Sequence, residues 1–231
     1  MIKGAVFDLD HTLFDRYATL RAVLPEMYKR LRDKISSDLT EQDFIEKLIE
    51  IERKNIYYGW DYTANKLVDA GVFLPCTTGE DVWGCLFKYC WPIAAVKFPF
   101  TESVLTELRQ QGLKVALITN GKVANQSIKL DLMNLWPFFD EVIICDDEKY
   151  PAKPHPAAFK AMSEKLGCPP ESLLYVGDNP FNDIVGARNG GFVPVWVKTT
   201  GVWPDETIER APYEVDDVSE IPALVRKINS L

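Results

Sequence analysis

Histidine is close to absent from this chain: His11 and His155 are the two it has. The cysteines (Cys76, Cys85, Cys90, Cys145 and Cys168) are odd in number, scattered, and form no Cys-x-x-Cys pair. These shortages argue against a zinc site built from thiolate and imidazole. The thiols read instead as reduced and mostly buried, which suits a cytoplasmic protein. A basic excess is missing too: 26 Lys and Arg face 34 Asp and Glu, for a formal net charge of −8. That balance argues against nonspecific binding to a nucleic acid polymer or an anionic membrane. No uninterrupted apolar run approaches membrane-spanning length. Asp8 and Asp10 break the apolar stretch near the start, so no signal-peptide plan is expected. Repeats, heptads and low-complexity tracts are also lacking. Nothing in the pattern speaks to oligomeric state.

What is present is an ordinary globular composition, 47% hydrophobic and 26% charged, long enough for one large domain or a core with a smaller companion. The first strong feature is Lys3-Gly4-Ala5-Val6-Phe7-Asp8-Leu9-Asp10-His11-Thr12-Leu13. A short apolar run of this kind reads as a buried strand that ends in a polar loop. Strand alternation points Asp8 and Asp10 to opposite faces. They share a site only if the backbone turns sharply after Asp8, at the strand's C-terminal end, where ligands bind in open α/β sheets. Two acids so close repel unless a cation or proton lies between them. Taken alone, Asp-x-Asp favours the plainer reading of a strand running into a polar turn.

The chain then reads as helical from Asp15 to about Ile93. Leu20, Val23, Leu24, Met27 and Leu31 recur at helical spacing around Pro25, which either kinks the helix or marks its first turn. Thr40-Glu41-Gln42-Asp43 resembles a capping box opening a second helix, a third and weaker one covers about Tyr62–Ala70, and a fourth about Glu80–Cys90. Beyond Phe100 helices alternate with short apolar strands at 114–118, 141–145, 173–176, 192–197 and 213–215. The fold class is therefore α/β: a Rossmann-like parallel sheet flanked by helices, with an inserted all-helical domain. Residues 1–15 and 94–231 are expected to form the core and 16–93 the insertion.

Three strands end in polar clusters: Asp8-x-Asp10-x-Thr12, Thr119-Asn120-Gly121 and Gly177-Asp178-Asn179. Lys153 precedes Pro154 in a loop between the last two. All lie on the same edge of one parallel sheet, so they can converge in a single cleft. Their types suggest one chemistry. A carboxylate can attack phosphorus and form an acyl-phosphate. Its charge repels phosphate, so Asp8 and Asp178 would hold a hard divalent cation, Mg²⁺, between them. Thr119, the backbone N–H groups after it and Lys153 would hold phosphate oxygens. Asp10 is then free to act as general acid and later as base. One by one these residues have plainer readings: Thr119 or Asp178 as a helix cap, Asp183 as a cap or ion-pair partner within its helix.

With those residues in place, the chain resembles the haloacid dehalogenase-like hydrolase superfamily. Val6-Phe7-Asp8-Leu9-Asp10-His11-Thr12-Leu13 matches its first motif, Ile118-Thr119-Asn120-Gly121 its second, and Ala152-Lys153-Pro154-His155-Pro156 its third. Val176-Gly177-Asp178-Asn179-Pro180-Phe181-Asn182-Asp183 matches its fourth. The helical insertion is similar to the family's first cap type, which closes over the active site. The resemblance implies that Asp8 is nucleophile and metal ligand, and that Asp10 is acid–base and gives the metal its backbone carbonyl. It further implies that Thr119 and Lys153 stabilise the transferring phosphoryl group, that Asn120 adds its N–H, and that Asp178 is the facing metal ligand. Asp183 would be a direct or water-mediated partner. Tyr58 and Trp60, clustered with Tyr57, are candidates for substrate contact from the cap. Lys66 reads as a solvated charge, and His11 as a loop residue near the cleft entrance. The expected activity is Mg²⁺-dependent hydrolysis of a small phosphorylated metabolite. The alternatives are a phosphomutase, a 2-haloacid dehalogenase, or a catalytically silent binding protein on the same fold. Asp10 separates phosphatase from dehalogenase, since an ester of Asp8 formed by dehalogenation needs no acid to protonate an alkoxide.

Overall fold

The computed structural model describes residues 1–56, 58–200, 203 and 207–230. The chain divides into two compact units, Met1–Asp15 with Lys97–Leu231, and Arg16–Val96. The chain re-enters the first unit at Lys97, where 94 was the expected boundary. The reason is pairing: Lys97 bridges antiparallel to Phe14, and the Phe98 N–H donates to the Leu13 carbonyl at 3.1 Å.

The first unit is built on a parallel sheet of β1 (Gly4–Phe7), β2 (Lys114–Asn120), β3 (Glu141–Cys145), β4 (Leu173–Gly177), β5 (Val193–Val197) and β6 (Tyr213–Val215). Spatial order is β3-β2-β1-β4-β5-β6. β1 is central and wholly buried, with Phe7 opposite Leu117 on one side and Val176 on the other. The chain runs outward through β2 and β3, then crosses back to β4, so strand order reverses beside β1. That crevice is the expected ligand position in open α/β sheets. β2 is longer than the apolar run suggested. Thr119 and Asn120 pair with Ile144 and Cys145 of β3 and so belong to the strand, although both are polar.

Helices Thr101–Gln110 and Val123–Leu132 flank β2, Ala157–Leu166 leads into β4, and Ile221–Asn229 ends the unit. Phe159, on the helix before β4, packs edge-on against Tyr175 and Phe192, with ring centroids 4.9 and 5.5 Å apart. Cys145 is a free thiol buried in the same core. Cys85 and Cys90 are also buried, whereas Cys76 is exposed and Cys168 is half-buried.

The second unit is helical: α1 (Arg16–Arg30), α2 (Glu41–Lys54), α3 (Trp60–Asp69) and α4 (Gly79–Cys85), the last continuing as a π-turn over Leu86–Cys90. Pro25 lies inside α1, whose buried stripe is Leu20, Val23, Leu24 and Met27. Thr40 caps α2 through the Asp43 N–H, but the reciprocal capping box is at Thr78 and Asp81, at the start of α4. The Arg16–Glu52 pair, 2.7 Å, is buried, with the Arg16 guanidinium 5.8 Å from the centre of the Trp91 ring. Among the described residues, no helix is long and apolar enough to cross a membrane.

Candidate active site

The opening motif makes the sharp turn that the two acids require. The Asp8 N–H still donates to the Val176 carbonyl at 2.9 Å, extending the ladder one residue past β1. The chain then folds back: the N–H groups of Thr12, Leu13 and Phe14 all donate to the Leu9 carbonyl at 2.9–3.2 Å, and His11 takes φ +60°. Leu9, Leu13 and Phe14 are fully buried and pin this turn. His11 is buried as well, with its carbonyl accepting from Thr199 Oγ1 at 2.5 Å. It is a residue of the tight turn between Asp10 and Thr12, held inside the fold.

Lys153 is the electrostatic centre of the site. Its Nζ donates to Asp8 Oδ1 at 2.6 Å, Asp183 Oδ1 at 2.7 Å and Tyr175 Oη at 2.8 Å. That accounts for all three ammonium protons. Tyr175 in turn donates to the Ile118 carbonyl at 2.8 Å. The side chain of Asn120 clamps the lysine's backbone, accepting from the Lys153 N–H at 2.8 Å and donating to its carbonyl at 3.2 Å. Asn120 therefore builds the loop that presents Lys153, a part that its substrate-facing expectation did not include.

Asp183 accepts from Lys153 with one oxygen and from the Asn179 N–H, at 2.9 Å, with the other. Asn179 caps the π-turn Pro180–Val185 by accepting from the N–H groups of Phe181 and Asn182. Asp183 thus comes back over Gly177, where a Cβ would stand 2.4 Å from its Oδ2. Gly177→Ala is expected to displace this carboxylate and destabilise the protein by roughly 1–3 kcal/mol. Thermal denaturation checks this, and an unchanged midpoint would contradict it.

One oxygen each from Asp8, Asp178 and Asp183 lies within 4.8 Å of the others, and all three residues are buried. Burial pushes the Asp8 carboxyl up to about 7, with Lys153 opposing and Asp183 adding to the rise. Asp178 is held well above the ordinary carboxylate range by burial, then by Asp183 and Asp8. Burial pushes Lys153 the other way, but the Asp183 and Asp8 carboxylates outweigh it and keep the ammonium charged. Three carboxyl groups crowd one ammonium in a desolvated place, so all three ionise together only when further positive charge joins them. The donor set is all oxygen, with neither thiol nor imidazole. Such a set fits a hard divalent cation.

Asp10 and Thr119 form a second group. Lys129 Nζ donates to both Asp10 oxygens, at 2.6 and 2.8 Å. Gln126 Nε2 donates to Asp10 Oδ2 at 3.0 Å and to Thr119 Oγ1 at 2.6 Å.

A family model described as haloacid dehalogenase-like hydrolase matches residues 2–191. Glyceraldehyde 3-phosphate phosphatase from Methanocaldococcus jannaschii is 30% identical over 99% of this chain and 99% of its own. The chain belongs to the haloacid dehalogenase-like hydrolase family. Human N-acylneuraminate-9-phosphatase is 26% identical over 99% of this chain and 95% of its own. L-2-haloacid dehalogenase from Xanthobacter autotrophicus shares the fold of this hydrolase, with a TM-score of 0.69 at 23% identity over 98% of this chain and 99% of that one. One fold thus serves phosphatase and dehalogenase names alike, and the side chains must choose between them.

Within this hydrolase, Asp8, Lys153, Asp178 and Asp183 meet directly, and Asp10 meets Thr119 through Gln126. Tyr58 belongs to the helical unit, where it is exposed and stacks on Tyr62 at 4.5 Å. Trp60 begins α3, its side chain lying outside the described structure, and Tyr57 lies outside the described residues. Lys66 is half-buried and pairs with Asp69 at 3.3 Å. Sequence reading missed Gln126, Lys129 and Tyr175. The available signal was position: Gln126 and Lys129 sit three apart on the helix that follows Thr119-Asn120-Gly121, so they share one face close to the strand end.

Proposed function

We propose that this hydrolase is a Mg²⁺-dependent phosphomonoesterase acting on a small phosphorylated metabolite through an aspartyl-phosphate on Asp8. One observation carries the reading: a buried carboxylate cluster with its own lysine, Asp8–Lys153–Asp178–Asp183, has a second carboxyl, Asp10, two residues from the nucleophile. The Thr119 hydroxyl and the Asn120 N–H would hold phosphate oxygens, and Lys153 would turn the proton it gives Asp8 toward the phosphate as Asp8 bonds to phosphorus. An Asp8 oxygen bonds to phosphorus as the ester P–O bond breaks, and Asp10 gives its proton to the leaving alkoxide. Asp10, now ionised, takes a proton from water as that water attacks phosphorus. The Asp8–phosphorus bond breaks, releasing inorganic phosphate and restoring the carboxylate.

Mg²⁺, held by Asp8, Asp178 and the Asp10 carbonyl, would supply the positive charge that lets an anionic phosphate approach an anionic nucleophile. Asp183 accepts from Lys153 with one oxygen and from the Asn179 N–H with the other, so it also fixes the lysine beside these ligands. Asp10 favours ester hydrolysis over dehalogenation, which needs no acid for its leaving group. We further infer that the helical unit is the substrate-selecting cap. Relatives named for glyceraldehyde 3-phosphate and N-acylneuraminate 9-phosphate support a small phosphorylated metabolite as the substrate class. A screen of phosphorylated metabolites with Mg²⁺ and with EDTA tests the reading. Turnover in Mg²⁺ that EDTA abolishes supports it, and equal turnover in both would sink it.

The carboxylate cluster also sets a pH dependence. Asp8, raised from 3.8 to about 7, adds stability that is full below the unfolded value and lost as pH climbs through the folded one. Asp178 acts in the same direction. Metal-free protein should therefore lose stability between about pH 4 and pH 7. A cation binds the ionised cluster, so Mg²⁺ should raise the melting temperature more at about pH 8 than at about pH 5. An equal rise at both would contradict this.

A further inference from the structure

We infer that Gln126 and Lys129 are positioning residues that fix Asp10 and Thr119 as one unit. This rests on the phosphomonoesterase reading and extends it to residues outside the four motifs. Both lie on the helix Val123–Leu132 and are buried, at 3% and 5% exposure. A buried ammonium is costly unless paired. Lys129 puts its charge on both oxygens of Asp10 and sits 4.7 Å from the centre of the Phe14 ring, in the turn that carries Asp10.

With donors on both oxygens, the Asp10 carboxyl group cannot rotate freely, so its direction toward the leaving group is set by the helix. Gln126 uses its single amide nitrogen twice, on Asp10 and on Thr119. Both amide protons are then committed. Because Thr119 Oγ1 accepts from Gln126, its own proton is left to donate, which is the polarity a phosphate oxygen requires. Gly121 makes room for this bridge: its φ is +138°, and a Cβ there would stand 3.3 Å from Gln126 Cγ. The glycine that follows Thr119-Asn120 and the glutamine five residues on are parts of one device.

The competing reading is that Lys129 only staples its helix to the turn. The test is kcat/KM for two aryl esters, phenyl phosphate and p-nitrophenyl phosphate, in Lys129→Met and in Gln126→Met, each alone and with Asp10→Asn. The phenolate of the first ester leaves poorly without a proton, and nitrophenolate leaves well. Lys129→Met is expected to lower kcat/KM for phenyl phosphate on the order of tenfold more than for p-nitrophenyl phosphate. With Asp10 already replaced, it should cost less than about twofold, because a residue acting through Asp10 has nothing left to act on. Equal losses on the two esters, the same loss in the Asp10→Asn background, or no loss would overturn the inference. Should Lys129→Met fail to fold, Gln126→Met reads the same cycle. Wild-type turnover is measured first. If it hydrolyses neither ester with Mg²⁺, the phosphomonoesterase reading falls and this inference with it. An active wild type with insensitive variants removes the inference alone.

Discussion

Asp8→Asn should lower phosphate-ester turnover by at least about 10⁴-fold while leaving a folded protein. The amide is close in shape and can still accept from Lys153 Nζ, which donates to Asp8 Oδ1 at 2.6 Å. What it lacks is an anionic oxygen to attack phosphorus. The same change removes a charge that burial already opposes, so the metal-free variant should be no less stable than wild type. The rise of the Asp8 carboxyl from 3.8 to about 7 sets the scale of the gain at up to about 4 kcal/mol near pH 8. Loss of turnover with retained or raised melting temperature is the pattern of a nucleophile. Parallel loss of both would mean that Asp8 matters for the fold instead. Retained turnover would exclude it as the nucleophile.

Lys153→Met is expected to act oppositely on stability. Its ammonium is buried among Asp8, Asp183 and Tyr175, and both carboxylates keep it charged. Removing one partner of such a network leaves buried carboxylates uncompensated, at a cost of about 3–5 kcal/mol. Turnover should fall with it, because the charge facing the phosphate is gone. Mg²⁺ should recover part of the melting temperature, since the cation replaces the missing charge, without recovering turnover. Thermal melts with and without Mg²⁺ separate these outcomes. A variant that melts like wild type without metal would show that Lys153 is not what balances the cluster.

The parts of the fold written in local pattern could be read directly. β3 and β6 begin and end where their apolar runs do, at Glu141–Cys145 and Tyr213–Val215. β2 runs on through Thr119 and Asn120 because β3 lies alongside to pair with them, which an apolar count along one strand does not register. The capping box at Thr78 escaped notice because Gly79 follows it, and glycine reads as a breaker rather than a first helical residue. The π-turns at Leu86–Cys90 and Pro180–Val185 carry no sequence period of their own.

The site divides in the same way. Acids at strand ends stand out against apolar neighbours, so Asp8, Asp10 and Asp178 were visible. Lys129 looked like any helix-surface lysine. Its burial depends on Asp10, 119 residues away in sequence. The hydroxyl of Tyr175 was equally hidden, since an aromatic inside a strand reads as core. Only the fold shows that it reaches Lys153.

The central claim is that the phosphoryl group passes through Asp8. The most direct measurement is an acid quench of the Asp10→Asn variant during turnover of p-nitrophenyl phosphate with Mg²⁺, followed by peptide mass spectrometry. Loss of the base should slow hydrolysis of the intermediate, so a phosphoryl group is expected on the peptide carrying Asp8 and absent from the Asp8→Asn control. Turnover without phosphoryl on that peptide, or phosphoryl found on another residue, would contradict the account.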